Sequence, residues 1–534
     1  MDYRFRDAPQ TSGTRRGPGA ILALTFAACL VLSGCAPPLA GLTPPAPPGA
    51  PPENVRFANE WPSPNGDLYN TRVAHSTISS ANVAQLGVGW TLPLQGVGAE
   101  GADVANPVMV DGIAYLQDGA SNVTAVRYAT GQVLWTHKYN SLAYGPNGLT
   151  IAYSRIYGVT ATGVFALDAQ TGNEVWYVTD FGPPKAAFNI PPQVAGNKVF
   201  VSSSVTVGGG IIYALDAGTG ATLWSFQTVI DQLGQQLQAT AGGAWDALLI
   251  GPDQSVYAGI GNPYLSQDQA QQTPSRELYT DSLVKLGQAA GTLQWYYQAF
   301  PNDFHDWDLQ ISPIYTTAAG HPVVLAAGKG GFVFAFEPAT GSLLWRTSVG
   351  MHNGHDDDGQ LALDGTLQLQ TPYTLYPGAL GGVETNMAAA DGVVYVPVVN
   401  VPTTYTNTAS PLGTPDFTKA AGEMVAIDVA TGKVLWDTKL PGAIPLGGAT
   451  VANDLVFTTT LGGFVGALSR KDGSIVWTAQ LPAGSNSPLA ISGDTLLAGT
   501  GVARGAAQHP AAVAYQLGAK ATATPLPSPP PAGP

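Results

Sequence analysis

The chain has 534 residues, a formal charge of −14, 45% hydrophobic residues and only 11% charged ones. That acidic balance excludes a nucleic-acid partner held through its phosphates. With 65 glycines and 43 prolines amid so much apolar content, the composition points to many short strands and tight turns and away from disorder.

The predicted elements begin with a leader. Arg4, Arg6, Arg15 and Arg16 precede the apolar run "AILALTFAACLVLSG", which ends at Cys35. This is the charged start and short apolar middle of a secretory signal, too short to span a bilayer. The ending "LSGC" resembles a bacterial lipobox. Residues 1–35 are therefore expected to be a signal peptide and Cys35 to be lipidated, giving a membrane lipoprotein outside the cytoplasm, in the periplasm or at the cell surface. A plain signal peptide with an incidental cysteine is the alternative. The only other cysteine, Cys29, lies inside the leader, so the body is expected to hold together without disulfides. Residues 36–55 read as a proline-rich spacer, 56–519 as the folded body and 520–534 as a disordered proline-rich tail.

One pattern recurs through the body. "AVRYATGQVLW" ends at Trp135, "ALDAQTGNEVW" at Trp176, "ALDAGTGATLW" at Trp224 and the weaker "VKLGQAAGTLQW" at Trp295. "AFEPATGSLLW", "AIDVATGKVLW" and "ALSRKDGSIVW" follow, at Trp345, Trp436 and Trp477. Each copy places a glycine four residues before the tryptophan. The physics of a copy is a hairpin: alternating apolar residues form a strand, D-x-x-T-G turns it, and the returning strand buries its indole between sheets. Repeats of this kind close naturally as a propeller. The 91-residue interval between Gly341 and Gly432 leaves room for a degenerate blade at "ADGVVYVPVVN" (390–400). "GVGWTLPL" (87–94) is positioned to close the ring against "TLLAGTGV" (495–502). The expected fold is all-β, a single eight-bladed β-propeller with tryptophan-docking repeats.

The repeat A-x-D-x-x-T-G-x-x-x-W, with the opening segment "EWPSPNGDLYNTRVAHSTISSANVAQLGVGWTLPL", resembles the pyrroloquinoline-quinone (PQQ) dehydrogenase superfamily, the quinoprotein alcohol dehydrogenase-like propellers. The resemblance spans roughly 60–517. It specifies fold more tightly than activity, because non-catalytic propellers share the repeat. It implies PQQ stacked on a tryptophan floor beside a calcium ion. "GGAWDALLIGPDQSVYAGIGNP" resembles the family's G-G-x-x-W-D…Y-x-G-x-G-N pattern, which puts Trp245 at the floor and Asn262 at a calcium ligand. "FHDWDLQ" (304–310) resembles H-D-x-W-D and puts Asp308 at the catalytic base, also beside the metal. "GKGGFVFAFEPATG" puts Lys329 against the quinone oxygens.

These residue types suit alcohol oxidation. A hard cation takes oxygen donors such as an amide carbonyl and a carboxylate, a carboxylate can accept the alcohol proton, and a lysine stabilises charge growing on the reduced quinone. Other readings compete. Trp245 also suits blade core and Asn262 a Gly-Asn-Pro turn, while His305 reads as a turn donor and Asp306 as a turn residue or one that supports the site residues from behind, not as a second catalyst. "MHNGHDDDGQ" (351–360), with His352, His355 and Asp356–Asp358, reads as a solvated acidic loop or as a metal or substrate loop. Glu384 reads as a blade-edge polar residue, with a place on the central face as the alternative. "GVGAEG" (96–101) matches G-x-G-x-x-G, but strand-like sequence follows it, which excludes an NAD site.

Several family features are missing. Val205 or Thr206 stands where the family has a calcium-binding Glu, "GPNGLTIA" lacks the family's Arg, and Gln310 replaces the extra Asp of the lanthanide-using branch. The vicinal cysteine pair is absent, and there is no C-x-x-C-H for a covalent haem. Two functions are carried forward: a quinoprotein oxidising an alcohol or sugar and passing electrons to a separate acceptor, or a non-catalytic propeller scaffold that has lost the quinone site. A third and weaker reading is a propeller holding a different metal through the His/Asp loop.

Overall fold

The computed structural model describes residues 45–519, except 104, 183–185, 204–208, 231–241, 443 and 504–507. Cys35 with its leader, the first part of the spacer, Val205, Thr206 and the tail lie outside the described residues. Among the described residues, eight sheets of at least four strands follow one another along the chain, antiparallel but for one added parallel strand, and there is a further small three-stranded sheet. No described helix is long and apolar enough to cross a membrane.

The first sheet shows how the pattern forms. Val108–Val110 is fully buried and pairs with Ile113–Gln117, which pairs with Val123–Arg127 and then with the outer strand Gln132–His137. Strands packed on both faces read as continuous apolar runs; the outer strand, wet on one side, does not. Inner strands of adjacent sheets lie against one another around the centre.

The repeat's turn is a local hydrogen-bonding device. Asp168 Oδ1 accepts from both the backbone N–H and the hydroxyl of Thr171, each at 2.8 Å, and Gly172 follows at φ +72°. Asp216 with Thr219, and Asp428 with Thr431, repeat it. That same glycine is the seat of the preceding sheet's indole. A Cβ on Gly172 would lie 2.5 Å from Trp135, and one on Gly291 the same distance from Trp224. The indole N–H groups of six of the seven copies reach the next sheet: Trp135 donates to Ala169 O (3.2 Å), Trp176 to Ala217 O (3.1 Å) and Trp345 to Val429 O (2.9 Å). Trp90, outside the seven copies, docks in the same way on Tyr128 O (2.7 Å) and Gly131.

Three sequence expectations need correction. "ADGVVYVPVVN" is not a separate degenerate blade. Ala388–Ala390 and Val393–Asn400 are the inner strands of the sheet that ends in Val434–Lys439 and carries Trp436. The long interval instead houses an insertion, with the helix Asp358–Leu363 and the three-stranded sheet Tyr373–Leu375, Thr403–Tyr405 and Thr414–Pro415. Second, Leu86–Pro93 shares a sheet with Thr495–Gly499, but its direct partner is Ala511–Leu517, which lies between them. Third, the spacer is docked from residue 45 onward. Glu53 accepts the backbone N–H groups of Tyr153 (2.8 Å) and Ser154 (2.7 Å), Gly49 O accepts from Gly196 N (2.7 Å), and Pro45 O accepts from the Tyr69 hydroxyl (2.9 Å).

A plug threads the sheets together. Residues 65–74 run among the inner strands, and Val73–Ala74 pairs in parallel with the inner strand Thr450–Ala452. The buried Arg72 donates to Ala449 O (2.6 Å), Leu489 O (2.7 Å), Thr450 Oγ1 (2.7 Å) and Asn65 Oδ1 (2.8 Å).

Candidate active site

In an antiparallel sheet, the loops entering the inner strand and leaving the second strand lie at the same end. Trp245 and Asp308 precede the inner strands Leu249–Ile250 and Ile314–Ala318, and Asn262 and Lys329 follow the second strands Ser255–Gly259 and His321–Ala327. Glu384 precedes the inner strand Ala388–Ala390. Topology alone therefore delivers all five to one end of three consecutive sheets.

Within "FHDWDLQ" the apolar residues are anchors. Phe304 packs on Ala270, Ala362 and Leu367. Trp307 lies edge-on to Phe300 at 5.3 Å and donates to Pro377 O (3.2 Å), and Leu309 joins the same core. Asp303 accepts the backbone N–H of His305 (3.0 Å) and of Trp307 (2.9 Å), and Asp306 turns in the left-handed region at φ +64°. Two carboxylates are thereby held at fixed positions. Lys329 Nζ lies 2.6 Å from Asp308 Oδ2 and 3.1 Å from Asp306 Oδ2. Asn262 donates its backbone N–H to Asp308 Oδ1 (2.7 Å) and its Nδ2 to Asp306 Oδ1 (2.8 Å). That leaves Asn262 Oδ1 buried with no partner.

Gly261 and Gly328 make room for this contact. A Cβ on Gly261 would collide with Asp308 Oδ1 and come within 2.9 Å of Trp245 Nε1; one on Gly328 would collide with Asp308 O. The half-buried Trp245 therefore stands beside Asp308 across Gly261. Trp245, Asn262, Asp308 and Lys329 converge.

The electrostatics follow from one cation among several carboxyls. Burial by itself lowers Lys329, but the carboxylates of Asp306, Asp308 and Glu384 outweigh it and hold the ammonium well above its ordinary range. Burial pushes Asp306 up to about 7, with Lys329 opposing. Glu384, which accepts from Gln310 Nε2 at 2.8 Å, is likewise pushed up to about 7 by burial, against Lys329 and that hydrogen bond. Its second oxygen is buried without a partner. Asp281, with both carboxylate oxygens buried and unpartnered, is raised well above its ordinary range by burial and then by the charges of Asp303, Asp308 and Asp306. Burial also raises the Tyr264 phenol, reinforced by Asp308 and Asp306.

Of the alternatives the sequence left open, Asp306 takes the supporting one, since it grips both Lys329 and Asn262, and Glu384 faces the cluster through Gln310. The His305 imidazole does not serve its own turn: Nε2 lies 3.0 Å from Asp358 Oδ2, an oxygen that also stands 2.8 Å from His355 Nδ1. Burial raises the Asp358 carboxyl, but these two contacts outweigh it and hold the group below its ordinary range. "MHNGHDDDGQ" is thus not a uniformly solvated loop, since Asp358 is buried. "GVGAEG" is followed by the strands Val108–Val110 and Ile113–Gln117.

Sheets closed through a terminal strand and docked by tryptophans, with a charged cluster where inner strands begin, define a tryptophan-docked β-propeller. The family profile for the glucose/ethanol/alcohol dehydrogenase β-propeller domain matches residues 61–151 and 178–350, and that for the outer membrane protein assembly factor BamB matches 413–528. The quinohemoprotein alcohol dehydrogenase of Comamonas testosteroni is 28% identical over 81% of this chain and 70% of its own length. The polyvinylalcohol dehydrogenase of a Pseudomonas species is 23% identical with the same two coverages. Among solved structures, the Comamonas enzyme superposes with a TM-score of 0.77 at 23% identity, over 89% of this chain and 82% of the other. A europium-containing methanol dehydrogenase gives 0.73 at 18% identity, over 86% and 98%. The chain belongs to the PQQ-binding, quinoprotein alcohol dehydrogenase-like propeller family.

Proposed function

We propose that the protein is a quinoprotein dehydrogenase that oxidises an alcohol or sugar, using PQQ and a divalent cation, with calcium the expected ion. The observation that carries this reading is the Asp308–Lys329–Asn262 contact set, with Asn262 Oδ1 buried and unpartnered. An orphaned amide oxygen beside two carboxylates is a donor set that fits a hard cation, and the half-buried Trp245 offers a stacking face for a flat cofactor. When bound, the quinone supplies the two-electron acceptor. Asp308 accepts the hydroxyl proton of the substrate as general base. Lys329, held charged by its carboxylate neighbours, balances negative charge developing opposite it. Asp306 positions both Lys329 and Asn262. Electrons leave to a separate acceptor. The leader's composition supports an extracytoplasmic protein tethered through lipidated Cys35.

A non-catalytic propeller scaffold is the second reading, favoured by the match of residues 413–528 to an assembly-factor profile. Titration of the full chain with PQQ, in calcium and again in chelator, separates the two. The dehydrogenase reading expects calcium-dependent binding at micromolar or tighter, and alcohol-dependent dye reduction that Asp308→Asn lowers roughly 10²–10⁴-fold. Absence of binding up to near-millimolar PQQ overturns the dehydrogenase reading and leaves the scaffold reading to be pursued through protein or glycan partners.

A further inference from the structure

The loop that carries Asp308 also reaches outward. His305, 1% exposed, sends Nε2 to Asp358 at the start of the insertion helix Asp358–Leu363, and His355 sends Nδ1 to the same oxygen. Three donor atoms, from segments some 50 residues apart in sequence, thus gather within 4.8 Å of one another. A tetrahedral ion with bonds of about 2.0–2.1 Å separates its ligand atoms by roughly 3.3 Å. The observed 3.0 and 2.8 Å to Asp358 Oδ2 lie a few tenths of an ångström below that separation, and the two imidazole nitrogens stand within 4.8 Å of each other.

The surroundings point the same way. The stacked rings of Tyr373 and Tyr405, 5.1 Å apart, flank the imidazoles at 5.4–6.0 Å, and both hydroxyls are buried without a partner. Unpartnered buried hydroxyls are costly, and a water completing a metal's fourth position is a group they can serve. A cleft of about 230 Å³, lined by Asp303, Asp356 and Asp357 together with Arg276 and Arg346, reaches His305, so one of the three donor residues borders an opening.

We propose that His305 Nε2, His355 Nδ1 and the Asp358 carboxylate bind a divalent transition-metal ion of the zinc class, which clamps the insertion to the loop bearing Asp306 and Asp308. Two imidazoles and one carboxylate suit a borderline ion, whereas the oxygen donors around Asn262 suit a hard one. The two sites therefore sort different metals, and this inference does not depend on PQQ binding.

The test is titration of the chelator-stripped full chain, in calcium buffer without PQQ, with cobalt(II) and then zinc(II). The expected result is one equivalent of cobalt bound at micromolar or tighter, with the visible absorption of a four-coordinate nitrogen-ligated site that zinc abolishes. His355→Ala and Asp358→Asn weaken binding at least about tenfold. His352→Ala, whose imidazole pairs with Asp356 instead (2.8 Å), and Asn262→Ala leave it unchanged. The spectrum of the unmutated protein decides the ligand type even where a variant fails to fold. No cobalt band and no zinc binding up to near-millimolar metal overturns the proposal, as does affinity indifferent to His355→Ala and Asp358→Asn.

Discussion

At Asp308 the backbone matters as much as the side chain. Gly261 leaves no room for a Cβ between Asp308 and Trp245, so Gly261→Ala is expected to push the carboxylate off Asn262 N and the indole off its seat. PQQ affinity should fall at least about tenfold, since displacing buried charge-assisted hydrogen bonds costs about 1.5–3 kcal/mol; fluorescence titration measures it. Glu384 supplies a pH signature. Its carboxyl rises from 4.5 to about 7 on folding, so the folded state holds this proton more tightly than the unfolded chain. The stability it contributes is full below pH 4.5 and is lost as pH climbs through about 7. Each unit of difference corresponds to about 1.4 kcal/mol. Glu384→Gln should flatten that part of the stability–pH profile, read by urea denaturation between pH 4.5 and 8.

Elements are joined by a glycine–tryptophan contact that does two jobs with one residue. Gly432 sits at φ +71°, and a Cβ there would lie 2.7 Å from Trp345. Gly432→Ala adds left-handed backbone strain to overpacking of the docked indole, together roughly 2–4 kcal/mol, measurable as a lowered urea midpoint. The hairpin half of this device is legible in the sequence, because Asp, Thr and Gly at fixed offsets specify the turn. The docking half is not, because nothing local says which sheet's tryptophan will occupy the seat. The interval around 390–400 misleads for a related reason: an insertion within one sheet lengthens the spacing as an extra sheet would.

Across the whole molecule, closure and plugging make the sheets interdependent. Leu86–Pro93 completes a sheet otherwise built from 490–517, and Arg72 ties residues 65, 449–450 and 489 together. Burial lowers the Arg72 guanidinium to about 9, with Asp246 opposing. Arg72→Ala strips four buried groups of their donor and is expected to cost roughly 3–5 kcal/mol, seen as a lower melting temperature. Arg72→Lys should recover only part of this, because one ammonium cannot span the same acceptors.

The sequence by itself determined the repeat and the all-β class, because turn chemistry and apolar alternation act over a few neighbours and leave a readable period; Trp245, Asn262, Asp308 and Lys329 were pointed to only by the family resemblance of the motifs that carry them. Only the tertiary structure decided the rest: that Asp306 serves Lys329 and Asn262 together, that Glu384 faces them, that His305 meets His355 and Asp358, and that residues 45–56 dock on the sheets. Those contacts join segments tens to hundreds of residues apart. Their partners are chosen by which loops the ring brings to one end, and no local spacing in the chain encodes that choice.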